Sequence, residues 1–297
     1  VKEPMSLLHP TRHSPIRGCL LMLAASISFA VMNLSGKIVG ETSSGMTALL
    51  IRSAATFLFV LPVTVLSGSS ILRPRPGLLL LRSLLGSTAL ACLFISLTKL
   101  STADATILRE TAPLFVLLLA PLWLGERVSR PMVAAAVVGF TGVILVLKPW
   151  SGLLQLHALI GLLGGFFASL VMMVLRLMRG TYPAHVIVLT FGLGGILVGI
   201  AGGGHHGLGL LPPSLYSWVV TLGVAGTFGQ LFLTHAYRYA PASSISPLSL
   251  TTVVWAALGE WIISGLIPDI LSMIGFILVT AGVVSVPLLA PSTKTPP

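Results

Sequence analysis

The sequence predicts an all-α integral membrane protein with ten transmembrane helices, arranged as two inverted repeats of five helices each. Of its 297 residues, 55% are hydrophobic and only 8% are charged. A soluble protein of this length would carry about a quarter charged residues. The composition therefore excludes a soluble enzyme, a disordered chain and a nucleic-acid-binding protein, in spite of the net charge of +10. The other two observations are ten apolar segments and an internal repeat.

Ten segments are apolar and long enough to cross the hydrocarbon core, which needs about 20 residues per helix. The loops between them are short, so no soluble domain fits. The division of the chain that we predict is a cytoplasmic tail (1–17), a first repeat (18–148), a second repeat (149–289) and a second cytoplasmic tail (290–297). The ten spans lie near residues 18–38, 45–66, 77–98, 102–123, 131–148, 154–177, 184–202, 214–236, 243–265 and 268–289.

The distribution of Lys and Arg predicts the orientation in the membrane. With the N-terminus inside, 12 of these residues, Arg82 among them, fall on the inner side. Three fall on the outer side: Lys37, Lys99 and Lys148. An excess of positive charge marks the cytoplasmic side. We therefore expect both termini to be cytoplasmic and assign most of the +10 charge to topology.

The second half of the chain resembles the first at one nearly constant shift. The shift places Gly86 on Gly226 and Phe115 on Trp255, and it aligns residues 28–37 with 166–176. An odd number of helices per half means that the second copy enters the membrane from the opposite side. Inverted repeats are typical of secondary transporters, which bind substrate near the middle of the membrane between the halves. Duplication in a membrane enzyme or a scaffold is the alternative.

Four charged side chains within the predicted spans are the leading candidates for a functional site: Arg52, Arg109, Glu110 and Glu260. A charge at mid-helix costs several kcal/mol on insertion scales, so it should face the bundle interior or water and have a partner. The four charges sum to zero. This arrangement predicts one mutually compensated cluster facing a cavity, which can bind a zwitterion by its carboxylate and its amine.

The alternative is a fixed network of ion pairs that locks helices together. Adjacent residues on a helix point about 100° apart, so Arg109 and Glu110 are not expected to face the same spot squarely. Either Glu110 or Glu260 can serve as a proton-coupling group, because burial and a neighbouring arginine act on a carboxylate in opposite directions.

Three uncharged residues are further candidates for substrate binding. Asn33 and Gln230 are polar groups in apolar spans, where each needs a hydrogen-bond partner. They can orient a substrate or simply join helices. Trp255 lies one turn from Thr251 and offers a stacking wall, with an ordinary packed aromatic as the alternative. The sequence contains no motif for a catalytic nucleophile, a cofactor or a metal site, so we predict a protein that is not an enzyme.

Several stretches of the sequence resemble the drug/metabolite transporter superfamily, in its EamA-like branch of ten-helix proteins. These are residues 48–62, with an arginine near the start and a proline at the end; residues 79–129, with the elements ADAT, APLF and LGER; and residues 139–149 and 236–258. The chain departs from the family where Gly265–Leu266 ends the ninth span in place of a glycine–glutamate pair.

The resemblance implies a secondary carrier that moves small metabolites across a bacterial inner membrane by alternating access. Members often export amino acids and related compounds, which favours an exporter of a small polar or zwitterionic metabolite coupled to protons or ions. An importer of a vitamin-like or nucleoside-derived solute, and efflux of cationic drugs, are the alternatives. The expected partners are the substrate, the lipid bilayer and the coupling ion, without nucleic acid, and a homo-oligomer is allowed.

Overall fold

The fold was analysed in a computed structural model, which describes residues 15–68, 75–124, 130–148, 156–178, 181–239 and 248–289. The regular structure in these ranges is helical, as predicted. The α-helices are α1 (Pro15–Thr42), α2 (Gly45–Leu66), α3 (Pro76–Leu97), α4 (Thr102–Arg109), α5 (Ala112–Leu124), α6 (Arg130–Leu147), α7 (Leu156–Leu177), α8 (Ala184–Ala201), α9 (Tyr216–Tyr239), α10 (Thr251–Ser264) and α11 (Ile270–Leu289).

Seven helices in the described part of the chain are long and apolar enough to cross a membrane: α1, α2, α3, α6, α7, α8 and α9. The predicted fourth span, 102–123, is divided into α4 of 8 residues and α5 of 13. In the predicted ninth span, residues 243–247 lie outside the described residues. Leu248 and Ser249 are helical, Leu250 forms a turn, and α10 follows. Both spans are thus discontinuous.

The packing of the helices follows the internal repeat. The repeat relates α1 to α7, α2 to α8, α3 to α9 and α6 to α11. Accordingly, α1 packs against α9 as α3 packs against α7, and α3 packs against α8 as α9 packs against α2. Helix α2 contacts its own counterpart α8, and α6 contacts α11. This pattern is that of a pseudo-two-fold axis between the halves, which agrees with the predicted inverted repeats.

Glycine allows a close contact between α6 and α11. A Cβ atom on Gly142 would lie 2.6 Å from the carbonyl oxygen of Gly275, and one on Gly282 would lie 2.7 Å from Cα of Gly139. Gly142 and Gly282 occupy equivalent positions of the two repeats. In lipid, helices associate largely through van der Waals packing, so small residues at the contact bring the backbones together.

We expect Gly142→Val to destabilise the protein. The side chain cannot fit between α6 and α11 without separating them, and overpacking costs about 1–3 kcal/mol. The melting temperature of the detergent-purified protein should fall. Gly77→Val is the control, because a Cβ atom there has open space around it. Equal melting temperatures for the two variants would contradict the tight α6–α11 contact.

Candidate functional site

The fourth span is interrupted inside the bundle, between α4 and α5. Pro113 has no N–H group, and in a continuous helix its ring would clash with the carbonyl of Arg109, where α4 ends. The Thr111 hydroxyl donates to the carbonyl of Leu108 at 2.6 Å and satisfies that group. Interrupted backbone at membrane depth is tolerated only where protein or a water-filled cavity surrounds it.

The ninth span is interrupted at the equivalent position and closed in the same way. The Thr251 hydroxyl donates to the carbonyl of Leu248 at 2.7 Å. Thr251 and Leu248 occupy the positions in the second repeat that Thr111 and Leu108 occupy in the first. Interrupted helices at corresponding positions of two inverted repeats are the best structural indication of where a transporter binds its substrate.

The two interruptions contact each other through Glu110. Its Oε2 atom accepts a hydrogen bond from Ser249 Oγ at 3.4 Å, and its Oε1 atom lies 3.1 Å from Nη1 of Arg109. The expectation that Arg109 and Glu110 cannot face the same spot was therefore wrong. Glu110 has left helical geometry, with φ −71° and ψ 1°, and this frees its side chain to turn back to its neighbour.

Helix α7 packs directly against the interruption because Gly165 has no side chain. A Cβ atom at Gly165 would collide with Thr111 Oγ1 and would lie 2.7 Å from the carbonyl oxygen of Leu108. Helix α7 begins the second half of the chain, so both halves line this point. The interruption is consequently the place where the two repeats meet.

Asn33 on α1 lies one turn from the interruption. Its Nδ2 atom donates to Thr106 Oγ1 at 3.0 Å, and the Thr106 hydroxyl donates in turn to the carbonyl of Thr102. Asn33 Oδ1 is buried and accepts no hydrogen bond from any described residue. Asn33 thus joins α1 to α4 through its amide nitrogen and keeps a free acceptor beside the site.

Arg52 is almost completely buried and stacks on an aromatic ring. Its guanidinium carbon lies 4.7 Å from the ring centroid of Phe191, and the guanidinium carbon of Arg82 lies at the same distance from that ring. The repeat aligns Arg52 with Phe191, so equivalent positions of the two halves are in contact.

Arg82 and Phe191 were missed by sequence reasoning. Arg82, counted on the inner side of the membrane, is 6% exposed and lies within α3. Its position well inside an apolar helix was a usable signal. For Phe191, the only signal was its alignment with Arg52 in the repeat, because an aromatic residue in an apolar span is otherwise unremarkable.

Glu260 belongs to a separate ion pair, so the predicted single cluster of four charges does not include it. Lys37 Nζ lies 2.6 Å from Glu260 Oε1 and also donates to the carbonyl of Leu100 at 2.8 Å. Glu260 Oε2 accepts from the backbone N–H of Thr102 at 2.6 Å, at the N-terminus of α4, where the helix dipole favours a negative charge. These bonds join α1 and α4 of the first half to α10 of the second.

Lys37 was counted on the outer side because it lies at the end of the predicted first span, 18–38. Helix α1 continues to Thr42, which places Lys37 inside the bundle. Lys37 also lies 3.9 Å from Glu41. Glu41 lines a cavity of about 520 Å³ between the ends of α1, α2 and α3, together with Ser44 and Lys99. The Lys37–Glu260 pair therefore lies beside a solvent-accessible vestibule.

Gln230 and Trp255 are not brought to the Arg109–Glu110 pair by any described contact. Gln230 is half-buried on α9, one turn from Gly226, where a Cβ atom would lie 2.9 Å from Arg52 Cγ. Trp255 is 40% exposed, on a face of α10 turned away from that of Glu260. Their roles in substrate binding stay predictions.

Two inverted repeats that meet at interrupted helices define the class of secondary transporters. The family model described as the EamA-like transporter family matches residues 16–148 and again 155–287. The chain therefore belongs to the EamA-like transporter family, which confirms the resemblance to the drug/metabolite transporter superfamily and the prediction that the protein is a transporter and not an enzyme.

Similar proteins cover nearly the whole chain. An uncharacterized transporter of Helicobacter pylori is 30% identical over 90% of this chain and 93% of its own length. A pseudopaline exporter of Pseudomonas aeruginosa is 28% identical over 90% and 95%. A riboflavin transporter of Rhizobium johnstonii is 29% identical over 84% of each chain. A crystal structure with 18% identity shares the fold, with a TM-score of 0.59 over 95% of this chain and all of the other.

We expect Lys37→Met to destabilise the protein strongly. Glu260 would keep a buried charge with only the Thr102 N–H to stabilise it, and removing one partner of a buried pair costs about 3–5 kcal/mol. The double variant Lys37→Met with Glu260→Met should recover most of the loss in melting temperature.

The matched control is Glu41→Gln, since the Glu41 side chain is 49% exposed and its pair with Lys37 is long. Exposed pairs contribute about 0–1 kcal/mol. A Lys37→Met protein as stable as the wild type, but inactive in transport, would contradict the structural role and favour the predicted role of Glu260 in substrate binding.

Proposed function

We propose that the protein exports a small polar or zwitterionic metabolite, an amino acid or an amino-acid derivative, by alternating access. The exporter lies in the bacterial inner membrane with both termini in the cytoplasm, and an inward flow of protons or another ion drives it. The substrate site is the Arg109–Glu110 pair at the joined interruptions, to which Arg52 and Asn33 contribute.

The observation that carries this proposal is the hydrogen bond from Ser249 to Glu110. It joins the interrupted helices of the two halves at one point, so a ligand bound there contacts both repeats and responds to their relative movement. Arg109 offers a forked cation to a carboxylate, and Glu110 offers an acceptor to an amine. The Arg109 side chain is 36% exposed, which leaves it accessible to a solute.

The ion pair of Lys37 with Glu260 supports alternating access. It connects the first half to the second half beside the vestibule, and a substrate leaving by that end requires the two halves to separate there. Breaking this pair would let the halves separate at that end, and its re-formation would close the end again.

The names of two relatives support different parts of the proposal. The pseudopaline exporter supports export, and its similarity extends over 95% of its own length. The riboflavin transporters support the alternative of a vitamin-like substrate. The half-buried Arg109–Glu110 pair favours a substrate with ionised groups over a neutral ring system, since partly desolvated charges select ligands that compensate them.

We expect Glu110→Gln and Arg109→Ala to reduce transport at least about tenfold, because each removes a charge-assisted hydrogen bond to the substrate, which contributes about 1.5–3 kcal/mol. Proteoliposomes containing the protein are loaded with the twenty labelled amino acids, and efflux is followed with and without an inward proton gradient. Glu110→Gln should also remove the effect of the gradient if Glu110 carries the proton.

Glu41→Gln is the control for expression and insertion, since Glu41 lies in the vestibule and outside the proposed site. Efflux at the wild-type rate from Glu110→Gln vesicles with normal protein content would contradict the site. Efflux of riboflavin and of no amino acid would contradict the substrate class and favour the alternative.

A further inference from the structure

We infer that the substrate carries at least two acidic groups, which Arg52 and Arg82 bind together with Arg109. The inference rests on the proposed function, because it names the chemical class of the solute that the same central site accepts. It goes beyond the zwitterionic substrate that the sequence favoured, since a zwitterion with one carboxylate would leave two of the three arginines without an anion.

The centre of the bundle contains more positive than negative charges. Arg52 and Arg82 are connected there through the ring of Phe191, and Arg109 completes the group of arginines proposed to bind the substrate. Among the described residues, the carboxylate that pairs within this group is that of Glu110, which bonds to Arg109. The group therefore has an excess of two positive charges.

The other described carboxylates are engaged elsewhere. Glu260 and Glu41 pair with Lys37, and Asp269 pairs with Lys148. Asp104 lies in the first turn of α4 and forms no ion pair with Arg52 or Arg82 among the described residues. The described part of the chain thus supplies no anion to Arg52 or Arg82.

Arg52 and Arg82 have hydrogen-bond donors that the described residues leave unused. Arg52 is 1% exposed and Arg82 is 6% exposed. The Nε and Nη1 atoms of Arg52 and the Nε atom of Arg82 are buried and have no hydrogen-bond partner among the described residues. One weak contact, 3.5 Å from Arg82 Nη1 to the carbonyl oxygen of Ile187, is present.

Stacking on Phe191 does not compensate for this burial. A cation over an aromatic face gains about 0.5–2 kcal/mol, whereas an unpaired buried charge costs several kcal/mol. Two such cations on one ring also repel each other. An anionic group between them removes both costs, and the planar guanidinium fork fits carboxylate and phosphate oxygens equally well.

The position of the two arginines links them to both repeats. Arg52 lies on α2 and Arg82 on α3 of the first half, while Phe191 lies on α8 of the second. Gly226 on α9 and Gly86 on α3 provide the space, since a Cβ atom on either would press on Arg52 or on the Phe191 ring. An anion bound here therefore contacts a layer that is built from both halves.

The test compares probes that differ only in an acidic group. The melting temperature of the protein in detergent is measured with L-glutamate and with its neutral counterpart L-glutamine. It is also measured with glycerol 3-phosphate and with its neutral counterpart glycerol, and with citrate as a tricarboxylate. L-glutamate or citrate should raise the melting temperature at a concentration at least tenfold below that of L-glutamine. A response to glycerol 3-phosphate and to neither carboxylate would assign the acidic groups to a phosphate ester. Equal responses to each acidic probe and its neutral counterpart would overturn the inference.

The variants Arg52→Met and Arg82→Met separate binding from structure. Each should abolish the stabilisation by acidic probes, while Arg130→Met, at the exposed start of α6, should keep it. Without a ligand, both should melt at or above the wild-type temperature, because a buried unpaired charge has been removed. Ligand-free variants that melt well below the wild type, or variants that still respond to the probes, would overturn the inference.

Arg52→Lys and Arg82→Lys keep the charge without the fork, so they test the geometry of recognition separately from the charge. They should fold and bind the acidic probes more weakly than the wild type, and wild-type binding would overturn the inference. The outcome for the proposed function is separate. Glu110-dependent efflux of an amino acid with a single carboxylate, without any response to acidic probes, would sustain the exporter and reject the second acidic group.

Discussion

The backbone hydrogen bond that Pro113 cannot make is the constraint on which the centre of the molecule depends. It ends α4 at Arg109. Thr111 satisfies the carbonyl of Leu108, and Gly165 allows α7 to approach the interruption. Because Glu110 leaves the helix at this point, its carboxylate reaches both its neighbour and the second half of the chain. A continuous helix would have turned the two charges apart.

A pseudo-two-fold axis explains why particular residues meet. Positions related by the repeat contact each other where the axis passes through the bundle, and Arg52 with Phe191 is such a pair. Glu110 bonds to Ser249, which directly precedes Leu250, the counterpart of Glu110 in the second repeat. The backbone is similar in the two halves at these points, but the side chains differ, so the nearly symmetric frame carries an asymmetric set of charges.

The arrangement of charge in the bundle depends on which groups bind Glu260. Lys37 and the N-terminus of α4 bind that carboxylate near the end of the bundle, so Glu260 does not neutralise the arginines at the centre. Arg82, on the apolar helix α3, lies at the centre instead and adds a positive charge there. These charged residues therefore form one neutral ion pair beside the vestibule and one cationic layer in the interior.

The sequence by itself determined the membrane class, the ten spans, the repeat and the family, because hydrophobicity, segment length and a constant shift are local or additive properties of the chain. It also identified Arg109, Glu110 and Arg52, since a charge in an apolar span stands out wherever it is. Only the tertiary structure decided the partners: Lys37 for Glu260, Phe191 and Arg82 for Arg52, and Ser249 for Glu110. Partnership depends on how helices far apart in sequence rotate and cross, and on where a proline interrupts them, which no single segment encodes.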